Sequence, residues 1–137
     1  MARATIRQRH GGQGEAAAAR YLTELGWLIL GRQVRVGRDE VDIVALDPGP
    51  PATIVAVEVR SRSSARFGPP EASVDRAKVM HCYRAMVALR RAGRLADGTS
   101  LPPLSWRVDL VAVDLDAGLD AGVGGPRIRH LRAMLPP

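Results

Sequence analysis

Apolar residues recur every three or four positions in two parts of the chain and alternate or run together in others, which separates helices from strands. Ala18, Tyr21, Leu22 and Leu25 keep helical spacing and predict an amphipathic helix from about Gln13 or Gly14 to Gly26, a residue suited to ending helices. Glu15 falls in the first turn, at the edge of that stripe, where the helix dipole favours a carboxylate. Trp27-Leu28-Ile29-Leu30 is a continuous apolar run that leads into a polar extended stretch ending at Val36. Val41–Leu46 and Thr53–Arg60 read as the next two strands, separated by the turn Asp47-Pro48-Gly49-Pro50-Pro51-Ala52. After a polar loop from Ser61 to Pro70, Val79, Cys82, Met86 and Leu89 predict a second helix over about Ser73–Arg91. Trp106–Val113 alternates as a strand, and beyond a glycine-rich loop (117–126) Ile128–Leu131 is a last short strand at an edge. The order α-β-β-β-α-β(-β), with a helical crossover between the third and fourth strands, predicts an α/β fold on a mixed sheet.

At 137 residues the chain has the size of one domain. Residues 1–12, arginine-rich and without periodicity, read as a flexible basic arm, and 13–137 as a single domain. With 46% hydrophobic and 25% charged residues the composition is that of a globular protein. No apolar run is long enough for a membrane span, and the basic N-terminus leads into no apolar segment of a secretory signal. The single Cys82 forms no internal disulfide, so a reduced cytoplasmic setting is expected. The formal charge of +6 points to polyanions, nucleic acid first. Lys78 is the only lysine, and the arginines are densest from Arg3 to Arg9 and from Arg84 to Arg94.

The chemistry lies where apolar strands carry charge. Strand residues two apart share a face, so Asp42 goes with Glu40, and Glu58 with Arg60. With the Pro-Gly turn centred near Pro50, residues pair when their numbers sum to about 100, which sets Asp42 opposite Glu58 and Glu40 opposite Arg60. Facing carboxylates are costly without a positive charge between them. Magnesium, which takes one or two carboxylates and keeps water or phosphate elsewhere, is one solution. An ion network in which Arg60 neutralises both acids is the other, and the residues alone leave both open.

Gly14-Glu15 followed by Ala16-Ala17-Ala18-Ala19-Arg20-Tyr21-Leu22, Glu40-Val41-Asp42-Ile43-Val44-Ala45, and Val57-Glu58-Val59-Arg60-Ser61-Arg62 come in a telling order. They are followed by Arg66-Phe67-Gly68-Pro69-Pro70-Glu71-Ala72 with Val74, Asp75 and Lys78, and by Trp106–Val113. From Gly14 to Val113 this ordered set resembles the YraN-like family of predicted endonucleases. The resemblance implies a restriction-endonuclease-like fold of the PD-(D/E)xK superfamily, similar to archaeal-type Holliday-junction resolvases. It also implies a magnesium- or manganese-dependent endonuclease acting on DNA ahead of RNA, on branched or otherwise structured substrates. By the same resemblance Asp42 and Glu58 are metal-binding acids, Glu15 the helix-borne acid that completes the site, and Arg60 the occupant of the catalytic lysine position. Arg3, Arg7, Arg9, Arg62 and Lys78 are the expected phosphate contacts. Resolvases of this kind commonly pair as symmetric homodimers, an analogy that leaves monomer and dimer both open here.

Two positions depart from the family pattern. Asp39 stands where the family has glycine, a change expected to touch only the turn. Arg60 replaces lysine; it keeps the charge and a fork of donors but cannot act as a base. A catalytically degenerate nucleic-acid-binding module of the same fold is therefore the competing reading, with Lys78 as a candidate substitute for the missing lysine. His10, His81 and His130 show no metal-ligand spacing and read as solvated, Cys82 as buried, and Asp109 as an ion-pair partner of Arg107 or a neighbour.

Overall fold

In the computed structural model, which describes residues 6–62, 76–115 and 125–136, seven elements follow one another. They are α1 (Ile6–Glu24), β1 (Leu28–Val36), β2 (Asp39–Asp47), β3 (Thr53–Arg62), α2 (Arg76–Ala92), β4 (Ser105–Asp114) and β5 (Arg127–Leu131). The strands form one sheet in the order β1-β2-β3-β4-β5. β3 and β4 are parallel, as the α2 crossover requires, and the other neighbours are antiparallel. This mixed α/β sheet, with a helix against each face, is the architecture predicted and is consistent with a restriction-endonuclease-like fold. Among the described residues no helix is long and apolar enough to cross a membrane.

Alternation along the strands feeds two cores. Ile43, Ala45, Val55, Val57, Val111 and Val113 pack with Ala18 and Leu22 of α1. Val44, Ile54, Ala56 and Val108 pack on the other face with Cys82, Ala85, Met86 and Leu89 of α2. Cys82 is thus buried, as its place on the helix stripe predicts.

Helix α1 begins at Ile6, earlier than the predicted Gln13 or Gly14, so 6–12 of the expected arm belongs to a helix. Gly11 and Gly12 suggested a non-helical arm, but each costs a helix only about 1 kcal/mol, and the Ala16–Ala19 run propagates helix cooperatively. Arg3 and the side chains of Arg7 and Arg9 lie outside the described residues, as do the start of the predicted second helix, the family-like block 66–75 and most of the glycine-rich loop. At its other end α1 closes as foreseen at Gly26, whose φ of 91° is open to glycine at no cost. Gly26 N–H bonds the Thr23 carbonyl and Trp27 N–H the Leu22 carbonyl, a Schellman closure that packs Trp27 on Leu22. The same turn throws Leu25, predicted on the buried stripe, out to 43% exposure.

Under the C-terminal half of α1 a buried acid organises the sheet. Asp109 is fully buried and accepts bonds from Arg107 Nε (2.9 Å), His130 Nε2 (2.8 Å) and Ala133 N–H (2.9 Å). Arg107 also reaches Asp47 at 2.9 Å, and its guanidinium lies over the Trp27 ring. His130 is not solvated: its side chain is 5% exposed, its Nδ1 meets the Tyr21 hydroxyl at 3.0 Å, and Trp27 and Tyr21 abut it edge-on. An edge strand gave no sign of this burial because the partners come from α1 and β4. Burial raises the Asp109 carboxyl, but the bonds from His130, Arg107 and Ala133 outweigh it and hold the carboxyl below its ordinary value. Beyond β5 the chain returns to the α2 side, where Met134 N–H bonds the Val108 carbonyl at 2.7 Å and Tyr83 Oη donates to the Met134 carbonyl.

Asp109→Ala leaves His130 Nε2 and the Ala133 N–H unpaired and Arg107 with half its partners. The loss expected on urea denaturation is about 3 kcal/mol, the lower end for one member of a buried ion pair because Asp47 persists.

Candidate functional site

The β2–β3 ladder holds the register predicted for it, with Ile43 opposite Val57 and Asp47 opposite Thr53, and then stops. Beyond Ile43 the Val59 N–H donates to Asp42 Oδ2 at 2.8 Å. The Asp42 carboxylate takes the place of a ladder carbonyl, and the strands part around it. Asp42 and Glu58 share a hydrogen bond across the gap, so the two acids meet as the turn-centred register predicts. Glu40 does not sit on Arg60: it pairs with Arg35 of β1 at 3.5 Å, because the ladder ends before that row.

Arg60 lies along Glu58, with Nη2 3.2 Å from Oε1, and its side chain is 19% exposed. That approach is close enough for charge attraction but lacks hydrogen-bond alignment. Both Nε and Nη2 are buried and have no hydrogen-bond acceptor among the described residues. From α2, Cys82 Sγ stands 3.8 Å from Glu58 Oε2, and the charge of Lys78 acts on the same carboxyl. Arg62 closes β3, and its side chain lies outside the described residues.

Glu15 reaches the site from α1. Gly14 makes this possible: a Cβ there would stand 2.4 Å from the Ser61 Cβ, so only glycine lets the helix sit this close to β3. Glu15 is 6% exposed and accepts from Arg32 Nε at 2.9 Å and from Gln33 Nε2. Its charge is felt by Asp42, but its own oxygens are taken by β1. Gln33 adopts φ of 51°, a left-handed conformation with no signature in this sequence, which is why it escaped the sequence reading.

Asp39 does more than shape the turn. Its buried carboxylate takes two bonds from Arg84 of α2, Nε at 2.7 Å and Nη2 at 2.6 Å, and these hold it below its ordinary value. The clamp ties the head of β2 to the middle of α2.

The electrostatics single out the facing acids. Burial pushes Glu58 up to about 7, with the charge of Asp42 and their shared hydrogen bond adding to it, against the pull of Arg60 and Lys78. Burial also raises Asp42, and the Glu15 charge adds to it, while the Val59 N–H, Glu58 and Arg60 oppose without cancelling. Burial first, then the charges of Glu58 and Asp42, push the Cys82 thiol up to about 12, so it is no nucleophile. A shared pair of carboxylates suits a magnesium or manganese ion that keeps most of its water. Among the described residues no group of three His, Cys, Asp or Glu is placed to hold a metal, and here both Glu15 oxygens are held by Arg32 and Gln33 of β1.

These shifts have a sign in stability. Between the unfolded carboxyl range near 4.5 and about 7 the native state holds a proton that the unfolded chain has lost, so stability is lost as pH rises through that window. Asp42→Asn keeps an acceptor for the Val59 N–H and removes one charge. Urea denaturation should find it more stable than the native chain at pH 8, on the order of 1–3 kcal/mol, with the difference shrinking towards pH 5.

The sequence pattern of uncharacterised protein family UPF0102 matches residues 14–113, the span that contains every residue of this site. A UPF0102 protein of Arthrobacter sp. (strain FB24) is 39% identical over 124 residues, covering 90% of this chain and 93% of that one. Another, from Moorella thermoacetica, is 43% identical over 111 residues, covering 80% of this chain and 84% of its own length. A third, from Chlorobaculum parvum, is 36% identical over 123 residues, covering 90% and 88%. With the pattern running from Gly14 of α1 to Val113 of β4, and near-full-length relatives on both sides of 40% identity, the chain belongs to the UPF0102 family.

Proposed function

We propose that this chain is a nucleic-acid-binding endonuclease that hydrolyses phosphodiesters in DNA with a magnesium or manganese ion held by Asp42 and Glu58. One observation carries the reading: two half-buried carboxylates are held against each other beside a guanidinium whose buried Nε and Nη2 lack acceptors among the described residues. A fold gains nothing from such a cluster, since burial raises both acids, Asp42 raises Glu58 further and the donors go unsatisfied; sites that break local rules this way are kept for chemistry. When bound, the ion supplies a Lewis acid for the phosphate and a water of lowered pKa.

The rest is done by the chain. Asp42 is fixed by the Val59 N–H and presents its remaining oxygen to the gap. Arg60 turns its free donors to a phosphate oxygen and stabilises the charge that builds there, and it moves no proton. Glu15, locked by Arg32 and Gln33, is a positioning residue that adds negative charge beside Asp42 and so favours a cation. The lone buried thiol of Cys82 accords with a reduced, cytoplasmic setting. Structured or branched DNA as substrate is the finer part of the proposal and rests on the resemblance to resolvases.

A second reading has its own observation. The Arg60 guanidinium already lies 3.2 Å from Glu58, so the cation of the site is built in and the protein binds nucleic acid without cutting it.

A panel of linear, flapped, forked and four-way DNA substrates with Mg²⁺ or Mn²⁺ separates the two. The native chain is expected to cut weakly and better with Mn²⁺, Asp42→Ala not at all. Arg60→Lys should cut faster with nearly unchanged binding, because a planar fork holds water less closely than an ammonium and about 1 Å of misplacement costs roughly a hundredfold. Binding without cutting by both the native chain and Arg60→Lys would overturn the enzyme reading in favour of the second.

A further inference from the structure

The rows of the sheet carry the candidate site beyond β3. Arg60 is in register with Ala112 of β4, and Ala112 with Arg129 of β5. The next row runs from Arg62 through Asp114 to Arg127. Residues in one row share a face, so Arg127 and Arg129 stand on the side that holds Glu58 and Arg60. The alternation of β5 agrees: Ile128 and His130 turn inward to the α1 side, while Arg127 and Arg129 are exposed. The residue between Arg60 and Arg129 is Ala112, which is itself buried, so a strand spanning the two arginines passes over the side chains that cover it and not along bare sheet.

We propose that Arg127 and Arg129 form a second phosphate-binding element, which holds the backbone of a nucleic-acid strand roughly two or three nucleotides from the bond at the Asp42–Glu58 pair. The proposal rests on the nucleic-acid reading given above and adds to it where the strand runs. β3 and β5 are two strand spacings apart, about 10 Å. At ~3.4 Å of rise per nucleotide that span fits phosphates about three nucleotides apart on the same strand. Charge complementarity and continuity with the site select a polyanionic chain as occupant. Sheet-face arginines that touch phosphates fix register and carry no sequence information. Arg129 and Asp114 each already have a polar contact, so the ligand shares or displaces one there.

The test is fluorescence anisotropy of the full chain with a fluorescein-labelled duplex and a labelled four-way junction, in EDTA and at several salt concentrations. Arg127→Gln/Arg129→Gln is expected to lose about tenfold or more in affinity and to lower the slope of log K against log salt by roughly 2, one unit per lost phosphate contact. Arg20→Gln removes the same kind of charge from the exposed face of α1, behind the sheet, and should change affinity less than about twofold. Arg127→Lys/Arg129→Lys should keep most of the affinity, which a merely structural loss would not allow. In any cleaved substrate the Gln pair should raise KM and leave kcat alone. Native binding with a Gln pair indistinguishable from Arg20→Gln would overturn this inference and leave the nuclease reading standing. A native chain that binds neither probe at low salt would overturn both.

Discussion

The period-two alternation of the β2–β3 hairpin is the constraint on which the rest depends. Odd-numbered Ile43, Ala45, Val55 and Val57 face α1 and build one core; even-numbered Val44, Ile54 and Ala56 face α2 and build the other. Asp42 and Glu58 come one step past the last rung, Ile43 opposite Val57, so they meet because the turn at Pro50 sets the register of the ladder that leads to them. A slip of one residue between the two strands would put the acids on opposite faces. The site is thus specified by residues that take no part in it.

The two faces treat buried acids in opposite ways. Asp109 has a guanidinium, an imidazole and a backbone N–H, and its carboxyl sits below its ordinary value. Asp42 and Glu58 have each other, and both are raised. The first arrangement holds β4, β5 and α1 together; the second lowers stability as pH approaches neutrality. A protein that can satisfy one acid so fully and leaves two others short on the facing side of the same sheet has separated scaffold from site.

How much could be read from the residues follows from the same division. The strands, the turn at Pro50, the closing glycine of α1 and the Asp42–Glu58 meeting were legible because period and turn chemistry are local. Three things were not. The partners of Glu15 depend on a left-handed Gln33 and on a helix that approaches over Gly14. The burial of His130 depends on Tyr21 and Trp27, more than 100 positions away. The bond of Asp39 is to Arg84 of α2, 45 residues along the chain, and nothing near Asp39 announces it. Each is a tertiary contact made by a residue whose neighbours in sequence are silent about it.

The Asp39–Arg84 clamp has a mechanical side. Arg84 lies two residues from Cys82 and six from Lys78, on the helix that carries both towards Glu58. Asp39 begins the strand that carries Asp42 three residues later. Helix and strand are therefore joined by an ion pair a turn or two from the gap between the acids, so a shift of α2 along the sheet either breaks that pair or pulls on the head of β2. A ligand that pressed on α2 would therefore be felt at the head of β2, the Asp42 wall of the gap, through this one ion pair.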